Sequence, residues 1–159
     1  MALKRVAYDQ VAALSQTLKA AGKKIVFTNG CFDIMHPGHI KVFIEARKLG
    51  DILIVGLNSD TSISQIKDPR RPILTEDERL VVLSAVEYIN YIVLFDTQTP
   101  EELIKKITPD VLVKGGDWQE DAIIGADYVK KNGGVVHRVS LKDGISTTNV
   151  IDRILTKYG

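Results

Sequence analysis

The chain is short of the features that mark specialised proteins. It holds one cysteine, Cys31, among 159 residues, so no internal disulfide can form and a disulfide-stapled scaffold is excluded. Twelve glycines and five prolines, without a repeat, exclude a collagen-like or low-complexity chain. Charge of one sign is also lacking: 21 Lys and Arg against 20 Asp and Glu leave +1. Such a balance gives no general field for coating nucleic acid or a membrane surface. No apolar run nears the roughly 18 residues that cross a bilayer. The longest, such as Ile52 to Leu57, are strand-sized. Met1 to Lys24 is charged and has no signal-peptide core. The expectation is a reduced, cytoplasmic, soluble protein with no nucleic-acid or membrane partner.

What is present is ordinary for a globular protein: 45% hydrophobic and 26% charged residues. One domain over 1–159 is expected, with 1–24 as an N-terminal helical extension. Short apolar runs alternate with helical periods. Val11, Leu14 and Leu18 mark a helix from Asp9 to Ala21. Ile25 to Thr28, Ile52 to Leu57, Tyr91 to Phe95, Val111 to Val113 and Val135 to Val139 are apolar runs of strand length. Helices are predicted from His39 to Leu49, Thr75 to about Val86, Thr99 to before Pro109, up to Asn132, and Thr147 to Lys157. Thr75 and Glu78 form a capping box. The stretch from Asn58 to Pro72 is polar and reads as a loop. The pattern predicts a Rossmann-like, doubly wound α/β fold: a five-stranded parallel sheet with helices on both faces. Ligands of such sheets bind at the carboxyl ends of the strands.

The loop after the first strand, Thr28 to His39, is the densest polar segment. His36 and His39 flank Pro37-Gly38 at a predicted helix start. Free amides and a partial positive charge there favour phosphate, and Gly38 lets an anion approach the backbone. Two imidazoles add donors that are neutral or cationic near pH 7. A triphosphate site follows. Cys31 reads as a small packing residue, because no base is placed for it.

Gly30 to His39 resembles the HxGH signature of the cytidylyltransferase-like nucleotidylyltransferase superfamily, and Gly144-Ile145-Ser146-Thr147-Thr148 resembles its second motif. The resemblance narrows further. Thr28 to Asp33, Ala46 to Asp51, Asn58-Ser59-Asp60, Arg71-Pro72, Asp110 to Asp117 and Ser146 to Asn149 together are similar to the adenylyltransferases that activate heptose 1-phosphate. The ordered set, above all Lys114-Gly115-Gly116-Asp117, is its specific part, and it runs from about Lys23 to Leu155.

That resemblance implies adenylyl transfer from ATP to D-glycero-D-manno-heptose 1-phosphate, giving ADP-heptose for the lipopolysaccharide core. It implies His36, His39 and Lys67 as catalytic residues. Asn29, Gly30, Cys31, Phe32, Gly38, Lys114, Gly116, Asp117, Ser146, Thr147 and Thr148 would hold the nucleotide with His39. Asp33, Arg71, Arg79 and Trp118 would face the substrate. Local alternatives stand beside these roles: a solvated basic loop for Lys67 and Arg70, an ion pair with its acidic neighbours for Arg79, a cap for Asp33, core packing for Trp118. Mg²⁺ is expected with ATP, and no metal-ligand set is readable beyond Asp33 or Asp60. Many members of the family follow a sugar kinase domain; some two dozen residues precede the first strand here, so a separate heptose kinase is expected upstream. A homodimer is a further implication. A cytidylyltransferase acting on glycerol 3-phosphate would share both motifs, and a nucleotide-binding module without catalysis is the alternative of another class.

Overall fold

The computed structural model describes residues 3–116, 119, 122–141 and 146–159. Strands and helices alternate as β1 (Arg5–Val6), α1 (Val11–Ala20), β2 (Ile25–Gly30), α2 (Pro37–Arg47), β3 (Ile52–Asn58), α3 (Asp60–Ile66), α4 (Glu76–Ser84), β4 (Tyr91–Phe95), α5 (Glu101–Ile107), β5 (Val111–Gly115), α6 (Ala126–Lys131), β6 (Val135–Val139) and α7 (Thr147–Tyr158). The strands form one parallel sheet in the order β1-β4-β3-β2-β5-β6. The fold is α/β and Rossmann-like.

The strands are apolar on both faces, so the two-residue period is hidden in the sequence and visible only in the packing. Val26, Leu53, Val55 and Leu57 join Phe43, Ala46, Leu80 and Leu83 on the α2 and α4 face. Ile25, Phe27 and Ile54 join Val11, Leu103, Ile107 and Val129 on the α1, α5 and α6 face. Carboxylates accept from the entry of the central strand: Asp51 from the Lys24 amide at 2.8 Å and Asp110 from the Ile25 amide at 2.7 Å. These ties leave the opposite, carboxyl edge for the site.

Two elements differ from the sequence expectation. The sheet has six strands, because Arg5 and Val6 pair with Ile92 and Val93 at its edge. The first 24 residues are therefore a strand followed by a helix. Two residues carry no readable period, and only the partner strand makes them a strand. The polar stretch after β3 also contains a helix, α3. Ser59 caps it, its Oγ accepting from the Ser62 amide at 3.1 Å. Helix α2 starts two residues before His39, with Pro37 in its first turn. The predicted capping box of α4 is present.

Gly56 marks how tightly the central strands fit. A Cβ there would lie 2.9 Å from Phe27 Cζ and 3.2 Å from Leu103 Cδ2. Gly56→Ala is expected to lower stability by about 1–3 kcal/mol through overpacking, read from the urea unfolding midpoint.

Candidate active site

The chain runs from β2 to β3 on one side and later crosses to β5 on the other. The crevice at the carboxyl ends of β2 and β5 is the topological switch point, where parallel sheets bind ligands. The residues after β2 fill it. Phe32 takes φ of +48°, which turns the chain sharply toward α2. His36 is then the N-cap of α2, with no side-chain cap of its own. Pro37 brings no N–H, and the Gly38 amide lies in the turn that has no intrahelical acceptor. These first-turn amides are the donors that an anion would take.

The two imidazoles stack, with ring centroids 3.7 Å apart and planes 21° from parallel. In both rings Nδ1 is buried and has no partner among the described residues. Burying an unpaired N–H is costly, so we assign the hydrogen to Nε2 in each ring. Burial holds the pKa of His36 below its ordinary value. His39 is pushed down to about 4, first by burial and then by the neighbouring His36. Two cations at this spacing would repel strongly. At neutral pH the pair is therefore uncharged, each ring keeping one N–H to donate to a phosphate oxygen.

Two buried ionic groups fix the surroundings. The Asp33 carboxylate accepts from the Leu74 amide at 2.8 Å, the Ile73 amide at 2.9 Å, and Arg71 Nε. Its side chain has no solvent exposure, so it ties the Arg71–Leu74 segment to the β2 loop and does not face a substrate. Arg79 is also fully enclosed. Its guanidinium donates to the carbonyls of Leu74 at 3.0 Å, Cys31 at 2.7 Å and Asn58 at 2.8 Å, and to Asp60 at 2.7 Å. The expectation of a phosphate contact by Arg79 is corrected: four donor contacts to the protein and complete burial make it a structural tie. Its ion-pair partner is Asp60 on α3, not an acidic neighbour on α4.

Other expected residues fall on several sides of the crevice. Lys114, at the end of β5, reaches Asn29 Oδ1 at 3.3 Å, and burial lowers its pKa. Lys67 is exposed. Its ammonium acts electrostatically on both Cys31 and Lys114. Burial raises the Cys31 thiol against the pull of Lys67, Arg79 and Arg71, which suits a packing residue and not a nucleophile. Arg70 pairs with Asp68 at 2.7 Å on the surface. Gly116 takes φ of +104° and bonds Val139 O at 3.0 Å, closing β5. Asp117, Trp118, Gly144 and Ile145 lie outside the described residues. Ser146 caps α7, accepting from the Asn149 amide at 3.1 Å, and Thr147 and Thr148 form its first turn. Among the described residues no hydrogen bond joins these three to the histidines.

Two cavities border the site. A groove of about 580 Å³ runs along α2 from His36, between Met35, Pro37, Ile40 and Ile44. A cavity of about 70 Å³ lies beside Asn29 and Lys114, against Leu112 and Ile123. No cluster of three His, Cys, Asp or Glu side chains occurs among the described residues. No helix among them is long and apolar enough to cross a membrane.

A parallel α/β sheet whose switch point carries a helix mouth and two donor imidazoles defines a nucleotide-binding protein of the phosphate-cradling class. The cytidylyltransferase-like family matches residues 27–153, and the chain belongs to it. It is 47% identical to the bifunctional protein HldE of Syntrophotalea carbinolica over 99% of this chain and 34% of that protein. The HldE of Geobacter metallireducens is 49% identical over 95% of this chain and 31% of that protein. The chain thus spans about a third of the length of the curated relatives it matches. A solved lipopolysaccharide core biosynthesis protein from Thermoplasma volcanium superposes with a TM-score of 0.62 at 28% identity, covering 76% of this chain and 98% of that one.

Two outcomes are expected from this geometry. Arg79→Met leaves three carbonyls and Asp60 without their donor, and a loss of about 3–5 kcal/mol in unfolding free energy is expected. Arg79→Lys recovers only part of it, because an ammonium cannot match the guanidinium fork. The second concerns pH. An unfolded histidine takes up its proton near 6.5, whereas folded His39 does so near 4. Between those values the unfolded chain holds more protons, so stability falls as pH is lowered. The urea midpoint should decline over this window, and His39→Asn should flatten the decline.

Proposed function

We propose that the chain is an adenylyltransferase that joins ATP and D-glycero-D-manno-heptose 1-phosphate into ADP-heptose and pyrophosphate. The observation that carries this reading is the pair of stacked, neutral imidazoles at the N-terminus of α2. The likeness to a lipopolysaccharide core biosynthesis protein supports the pathway. In the reaction a phosphate oxygen of the sugar phosphate attacks the α-phosphorus of ATP. The bond from that phosphorus to the α–β bridging oxygen breaks, and pyrophosphate leaves. Positioning and charge neutralisation carry such transfers.

The residues divide the work by their chemistry. The Nε2 hydrogens of His36 and His39 donate to phosphate oxygens and to the charge that develops as the bond breaks. The Gly38 amide adds a donor at the helix mouth. Lys67 and Lys114 neutralise the triphosphate. Arg71, steered by Asp33, is the candidate for the acceptor phosphate. Ser146 and Thr147 at the α7 mouth would take the β- and γ-phosphates.

Magnesium enters this reading with the nucleotide. All protein contacts of Asp33 are spent on amides and Arg71, and Asp60 Oδ1 pairs with Arg79. These side chains do not make a resident metal site, so the ion would travel on the triphosphate oxygens, where it shields their charge.

The test is pyrophosphate release with ATP, CTP, GTP or UTP, against both anomers of heptose 1-phosphate and glycerol 3-phosphate. Turnover is expected with ATP and one heptose anomer. His36→Ala and His39→Ala should each reduce it about 10²–10³-fold, as for loss of one transition-state donor. Turnover with CTP and glycerol 3-phosphate would replace the substrate and keep the mechanism. Tight nucleotide binding without turnover on any acceptor would replace the enzyme with a nucleotide-binding module.

A further inference from the structure

Phe32 is a bulky residue in the left-handed region, at φ +48°, where side chains other than glycine, asparagine and aspartate seldom settle. Backbone strain of this kind persists only where the surroundings over-determine it. Here the surroundings are specific. The ring is 5% exposed and meets Phe43 of α2 at 5.2 Å between centroids. It meets His39 edge-on, at 5.1 Å and 68°. Its tip rests on Gly30, where an added Cβ would stand 3.0 Å from Phe32 Cζ. His36 covers His39 at 3.7 Å. His39 is thus held between an aromatic ring and a second imidazole.

We propose that Phe32 is a positioning residue: its ring, swung inward by the left-handed backbone, orients the His39 imidazole against His36 and keeps water from it. Gly30 belongs to the same device, because a Cβ there would press on the ring at 3.0 Å. The ring brings no charge, and Phe43 brings none. Among the described residues the titratable group acting on His39 is His36. The wall therefore works by excluding water, and it keeps His39 an uncharged donor when a polyanion arrives.

This inference concerns the free protein and needs no nucleotide. Its bearing on turnover rests on the proposed function; its test does not. The His39 ring is followed by ¹⁵N-resolved NMR between pH 3 and 8 in the wild type, Phe32→Leu and Gly30→Ala. The wild-type ring is expected to titrate near 4. Both variants should move it upward by about one unit or more, toward an ordinary histidine. Gly30→Ala reaches the same end without touching Phe32, by displacing its ring, and serves if Phe32→Leu does not fold. Gly56→Ala loosens the sheet away from the histidines and should leave the His39 titration in place. An unchanged His39 titration in the folded variants overturns the proposal, as does an equal shift in Gly56→Ala. Absent turnover with an upward shift would overturn the proposed function alone.

Discussion

The backbone of Leu74 is held on both sides of its Cα by buried charge. Its amide donates to Asp33, and its carbonyl accepts from Arg79. The same Arg79 holds the Cys31 carbonyl, one residue from the strained Phe32, and the Asn58 carbonyl at the end of β3. Three loops at the carboxyl edge of the sheet are tied by these two side chains. A buried guanidinium is costly to desolvate and stabilises only if its donors are met. Here three carbonyls and a carboxylate meet them. The arrangement of Lys67, Arg71 and the helix mouth around Cys31 depends on this tie, since none of them stands on a central strand.

The histidine pair shows a different economy. Stacked imidazoles with buried Nδ1 atoms do not both carry charge, because burial and mutual repulsion disfavour the cations. Uncharged donors are held in a dry wall and need little rearrangement as phosphate charge arrives. The helix mouth supplies positive potential without a titrating group.

Much of this was legible from the residues. The five longer strands follow from apolar runs, and α4 from Thr75 and Glu78, because capping and core burial are local or periodic signals. His36 and His39 were legible because a helix start, a glycine and two donors lie within four residues. Arg79 was misread, since its nearest charges along the chain are Glu76, Asp77 and Glu78. Its real partners lie 5 to 48 positions away. Asp33 was expected to face the substrate or to act as a cap, and its three partners are about 40 positions downstream. Helix α3 was hidden in a polar stretch, where one serine cap and two buried side chains decide the outcome.

By itself the sequence determined the order of the five longer strands and the helices between them apart from α3, the parallel character of the sheet, and the loop in which the phosphate chemistry sits. These rest on periodicity, turn residues and caps, which act over a few positions. Tertiary structure decided which charges are spent on the protein and which stay open to a ligand. It decided that Arg79 and Asp33 are ties, that Phe32 is driven left-handed against His39, and that the imidazoles stack. Those outcomes depend on burial and on contacts between distant segments, and burial sets both the worth of a charge and the pKa of a histidine.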